Sequence, residues 1–180
     1  MNIFFLSGNP RRCARWHCDK HVVKMILEYT QILYTANHVN GGTILILESA
    51  PLCVSTQKRG YKLHAKNHPS VLWASESLVH YMWLCRLALC LVEEYNYRYT
   101  KSKQSKQSTT HSCLEHLEWL FANPPPELMF KRDWMRDPPP AMPDEYKVSS
   151  DSIECYRAYY NGSKRYLLKY TKRHVPHVFA

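Results

Sequence analysis

Apolar side chains return along the first third of the chain with the spacing of one helical face: Val22, Met25, Ile26, Tyr29, Leu33 and Ala36. The spacing predicts a helix over residues 10–36. Asn9 is its capping residue, and Pro10 sits at the first helical position, where no N–H is needed. A polar stripe runs beside the apolar one, with His17, His21, Lys24 and Glu28 at i, i+4, i+7 and i+11. Ahead of this helix, residues 2–6 read as a short strand or extended segment. Asn40, Gly41 and Gly42 break the pattern, and Thr43 to Leu47 read as a strand or a buried turn of helix.

Residues 48–66 read mostly as loop. Pro69 marks another helix start, and the stretch from Ser70 to Tyr99 is apolar nearly all round, as suits a helix in the middle of a domain. Its polar residues Glu76, Arg86, Glu93 and Glu94 gather within roughly a quarter of the circumference. The basic run at 101–110 reads as a mobile surface loop. A short helix over 111–122 follows, then a segment at 123–143 too rich in proline for regular structure. Asp151 and Glu154 form a capping pattern for a last helix over 152–171, bent at Asn161 and Gly162. The pattern predicts a mainly α fold: one compact helical domain over 1–180, with a buried central helix and at most one or two short strands.

Composition supports that picture. Hydrophobic residues make up 45% of the chain and aromatics 13%, enough apolar area to offset the entropy of ordering. Lys and Arg number 24 against 15 Asp and Glu, a formal charge of +9 that favours polyanions such as nucleic acid or nucleotide, with an affinity that salt weakens. Seven cysteines without CxxC spacing suggest free thiols in a reducing compartment. The apolar run Ile3 to Leu6 is too short for a signal peptide, and Glu76, His80 and Arg86 interrupt the apolar stretch 71–92. The expectation is a cytoplasmic protein with no membrane partner.

Two HxxxH pairs stand out, His17 with His21 and His64 with His68. On a helix each pair would project from one face toward a metal, but no third ligand is marked and the Glu of a zincin is missing after each first His. The expectation is therefore a site without metal or cofactor. Imidazoles beside lysines suit proton transfer and anion recognition near neutral pH. Lys62, His64, Lys66, Asn67 and His68 precede a helix start whose N–H groups favour an anion, with Arg15 as a further phosphate ligand. The expected site is a cationic pocket where His17, His21 and Lys24, with Glu28, meet His64 or His68 around a phosphate-bearing ligand. The segment AMPDEYK (141–147) reads as a turn. Aromatic and basic residues alternate after Tyr156, which fits either single-stranded nucleic acid or a core-facing tyrosine stripe.

In HCDKHVVKM, NHPSVLWASES and AMPDEYK the chain resembles a family of small uncharacterised proteins of bacteriophages and large DNA viruses. More distantly it is similar to pyrimidine dimer DNA glycosylases of the phage endonuclease V type, which are helical and basic and use an N-terminal amine with a Glu on the first helix. In that likeness His17 matches the first-helix His, while the family's Glu falls near Lys24 and Glu28 is the nearest carboxylate. Asn2 is bulky for removal of Met1. The resemblance implies a DNA glycosylase/lyase on damaged or modified bases, with an amine from Met1 or Lys24 attacking the sugar and Glu28 assisting. Two other readings stand beside it: a metal-independent phosphodiesterase or binder of a small signalling nucleotide, and a non-enzymatic nucleic-acid-binding protein.

Overall fold

A computed structural model of the protein describes residues 1–100, 110–131 and 133–180. The fold is mainly helical around one hydrophobic core, and no strand occurs among the described residues. The helices are α1 (Pro10–Trp16), α2 (Asp19–Asn37), α3 (Thr43–Ser49), α4 (Pro69–Glu76), α5 (Leu78–Tyr99), α6 (Leu114–Ala122) and α7 (Ser152–Asn161). Helix α5 is the central element and packs on α1, α2, α4 and α6. Among the described residues no helix is long and apolar enough to cross a membrane. The basic run lies outside the described residues, except for Thr110.

The helix expected over 10–36 is two helices. Asn9 caps α1 as predicted, its Oδ1 accepting from Arg12 N. The chain then turns extended at His17 and Cys18 before α2 begins. Neither residue breaks helices by nature; the cause is tertiary. The buried Arg98 guanidinium donates to the carbonyls of Arg15 and His17, taking acceptors at the end of α1. Asp19 donates its N–H to the Lys169 carbonyl and accepts from Thr171 through both its N–H and its hydroxyl.

The long apolar segment also divides, at Ser77. Its Oγ accepts from Val79 N to cap α5 and donates to the Trp134 carbonyl in the proline-rich segment. His80, fully buried, stacks on Trp73 at 4.5 Å between centroids, donates to the Trp73 carbonyl and accepts from Arg136 N.

Residues 43–49 form a helix, but one that leaves Ile44 and Leu47 exposed, where a buried turn or a strand was expected. Gly41 makes the entry to this helix possible with a φ of +84°. Gly60 (φ +61°) lets the loop 51–60 lie against Tyr34 and Ile46, where a Cβ would clash. The last helix stops at Asn161 and does not continue to 171, because residues 169–171 serve instead as the extended strap that holds the start of α2.

Residues 3–6 are buried and thread the core outside any strand, with Leu6 N donating to the Phe4 carbonyl in a tight turn. Phe5 packs on Trp83, while Phe4 is enclosed by His21, Tyr156 and Tyr160. This threaded segment carries the amino terminus to the outer turn of α2.

Candidate functional site at the amino terminus

His17 and His21 are not in a surface pocket, contrary to expectation. His17 is fully buried: its Nδ1 faces the Cys13 carbonyl at 2.8 Å and so donates, and its Nε2 accepts from the Tyr29 hydroxyl at 3.2 Å. Tyr29 in turn accepts from Phe4 N. His21 stacks on Phe4 at 4.1 Å and meets the Tyr160 hydroxyl at 2.5 Å. Burial lowers the pKa of His17 to about 4, against a smaller opposing effect of the Cys13 carbonyl. Burial, then the nearby His17, lowers that of His21 to about 3. Both imidazoles are neutral struts that fix residues 3–6 onto α2.

A stability effect follows from the sign of those shifts. Unfolded, each imidazole takes its proton at the ordinary 6.5; folded, each resists until about 4 and about 3. Stability is therefore complete above that ordinary value and falls with pH by up to roughly 1.4 kcal/mol per pH unit for each group. Burial lowers His80, His111 and His116 as well, in the same direction. The expected result is a melting temperature that drops steadily from about pH 7 to about pH 4.5. A flat profile would show that the imidazoles are not buried neutral.

The two struts deliver Met1 to an exposed turn of α2. The Met1 α-amine lies 3.9 Å from Glu28 Oε2, and Lys24 Nζ lies 3.3 Å from Glu28 Oε1. Glu28 is 17% exposed and Lys24 71%, so the carboxylate sits in a recess with the lysine reaching over it. His68 caps α4, its Nδ1 accepting from Ser70 N. Burial first and the Met1 amine second lower its pKa, with Glu28 opposing.

The expected convergence of His17, His21 and Lys24 with His64 or His68 is not seen: His17 and His21 are buried, while Lys24 pairs with Glu28 and the Met1 amine lies beside that pair. His64 is exposed and tied to α2 by its backbone, which both donates to and accepts from Thr35 Oγ1. Lys62, Lys66 and Asn67 are exposed on the stretch leading to His68. Arg15 belongs elsewhere. It lines a cavity of about 190 Å³ with Arg11, Cys90, Glu93, Glu94, Tyr97 and Arg173, whose charges are largely paired: Arg11 with Glu93, Arg173 with Glu94.

The third sequence motif arrives at the same place. Asn2 Nδ2 donates to the carbonyl of Ala141, the first residue of AMPDEYK, at 2.7 Å. Residues 144–146 of that segment form a 3-10 turn, as its prolines suggested. Sequence reasoning missed Asn2, Tyr29, Tyr156 and Tyr160, which hold the amino terminus. Tyr156 and Tyr160 showed only as members of the tyrosine stripe, and Tyr29 only as part of the apolar face of the first helix. Of the stripe, Tyr156, Tyr160 and Tyr170 face the core while Tyr166 is 79% exposed.

Two amines held against one carboxylate can attack an electrophilic carbon and move protons around it. Among the described residues no group of three His, Cys, Asp or Glu side chains is placed to hold a metal ion. Comparison with family models, with curated proteins and with solved structures returned no match.

Proposed function

We propose that the protein is a DNA glycosylase/lyase acting on damaged or modified bases, with the Met1 amine as nucleophile. The observation that carries this reading is the Met1 amine beside one oxygen of Glu28, with Lys24 on the other. The unprotonated amine attacks C1′ of the deoxyribose, and the C1′–N bond breaks with its electron pair leaving on the base, which takes up a proton. The nitrogen passes one proton to Glu28; as the ring C1′–O bond opens, the ring oxygen takes up a proton and the nitrogen keeps its other one, leaving an iminium between Met1 and C1′. Loss of a C2′ proton then expels the 3′ phosphate. In this reading Glu28 receives and returns protons, and Lys24 holds a flanking phosphate.

Extruding a base costs a few kcal/mol and costs least at damage, which gives such an enzyme its selectivity. The net charge of +9 and the exposed Lys20, Lys24, Lys62 and Lys66 favour the strand electrostatically. The reading as a phosphodiesterase on signalling nucleotides relied on an acid–base pair of imidazoles. It loses support because His17 and His21 are buried with their nitrogens engaged.

The test is incubation with ultraviolet-damaged and abasic duplexes in the presence of borohydride, which reduces an imine to a stable amine. A covalent protein–DNA adduct is expected. An extra residue placed ahead of Met1 is expected to abolish the adduct while leaving salt-dependent DNA affinity in place. Binding with neither adduct nor strand cleavage would instead identify a non-enzymatic nucleic-acid-binding protein.

A further inference from the structure

Tyr156 on α7 places its hydroxyl at the meeting point of the amino terminus and the proline-rich segment. The hydroxyl lies 2.5 Å from Asn2 Oδ1 and 3.0 Å from the Pro139 carbonyl, both acceptors, and itself accepts from Ala141 N at 3.2 Å. Its one proton serves Asn2 and Pro139 in turn. Burial raises the phenol's pKa, so it stays a donor at any working pH. Asn2 is bound at both ends of its amide, since its Nδ2 donates to the Ala141 carbonyl. The segment is pinned from the other side by Ser152 Oγ, which donates to the Pro138 carbonyl.

We infer that Tyr156, acting through Asn2, is the positioning residue for the Met1 amine, and that the 138–141 segment is its anchor. This rests on the reading of Met1 as nucleophile. Residue 2 is one peptide away from the amine, so fixing both ends of its side chain leaves Met1 few ways to swing from Glu28. His17, His21 and Tyr29 fix residues 3–6, whereas the side-chain hydrogen bonds of residue 2 run to Tyr156 and Ala141; without that clamp the first two residues would be held only by the packing of Met1 on the core and by the chain behind them. A displacement of an ångström in a reacting group slows reaction by as much as about 10²-fold. The clamp gives the AMPDEYK motif a role that its turn geometry alone does not.

The test uses the full chain with Tyr156→Phe and Asn2→Leu, the latter bulky enough to retain Met1, as intact mass will verify. Tyr81→Phe is the control, because its buried hydroxyl donates to Leu120 in another part of the core. Two readouts are taken. One is the single-turnover rate of borohydride trapping on an abasic duplex, beside affinity for a duplex with an unreactive tetrahydrofuran site. The other is the proximity of Met1 to Glu28, read as nuclear Overhauser effects in protein labelled with ¹³C-methionine.

Both clamp variants are expected to lose the Met1–Glu28 contact and to trap at least about tenfold more slowly, with tetrahydrofuran-duplex affinity within about twofold of the parent. Tyr81→Phe is expected to lower the melting temperature without slowing trapping. If the clamp variants keep both contact and rate, or if Tyr81→Phe slows trapping equally, the inference is overturned. If the parent protein traps nothing, the glycosylase/lyase reading fails, and the Met1–Glu28 contact alone decides the clamp. Should Tyr156→Phe fail to fold, Asn2→Leu decides.

Discussion

Glu28→Gln is expected to slow base release and strand cleavage by about 10²-fold or more, the usual worth of a placed proton-transfer group. The amide keeps the shape of the side chain and its place beneath Lys24 but can neither take up nor return a proton near neutral pH. Stability should change little, because Glu28 is partly exposed and its partners are the flexible Lys24 and the amine. DNA affinity should rise slightly if it changes at all, since a negative charge leaves a basic surface. A rate within about threefold of the parent would remove Glu28 from the chemistry. Lys24→Ala is the companion variant. Lys24 is far more exposed than the Met1 side of the recess, so its loss should weaken binding and leave the adduct intact.

Arg98→Leu is expected to cost about 3–5 kcal/mol of stability, enough to unfold many domains of this size. The Arg98 side chain is fully buried and contacts Glu94 Oε1 at 2.8 Å, Asp19 Oδ1 at 3.0 Å and the carbonyls of His17 and Arg15. Burial alone would raise the pKa of Glu94, but hydrogen bonds from Arg173 and Arg98 outweigh it and hold the carboxyl below its usual range. Removing Arg98 leaves two poorly solvated carboxylates with Arg173 as their remaining arginine, and frees the carbonyls that end α1. Thermal or urea unfolding measures the loss. A change below about 1 kcal/mol would mean that the network relaxes without cost, as an exposed ion pair does. The consequence reaches the site, because Asp19 starts the helix that carries Lys24 and Glu28.

What the sequence made legible was local. Asn9 with Pro10, Pro69, and Asp151 with Glu154 mark helix starts through groups within three residues of each other, and each start is where the punctuation put it. The break at His17 was not legible, because its cause lies in Arg98 and Thr171, far along the chain. That break also undid the reading of His17 and His21 as one helical face: His17 lies outside α2, and its ring tucks back onto Cys13.

Lys24 and Glu28 were legible as neighbours on one helical face from their spacing. The Met1 amine entered only through the resemblance; residues 2–6 read as a short strand or extended segment, but their local pattern did not show that they would thread the core beside α2. The tyrosine hydroxyls that hold it belong to a stripe whose pattern fits a core face and a nucleic-acid surface equally well.

The central claim is that the Met1 amine, and not a lysine, is the nucleophile. The most direct measurement is to digest the borohydride-trapped complex on an abasic duplex and locate the added sugar by mass spectrometry. The account predicts the modification on the Met1 α-nitrogen, retained in Lys24→Ala and lost when a residue is added ahead of Met1. An adduct on Lys24 or another lysine, or an adduct that survives blocking of the α-amine, would contradict it.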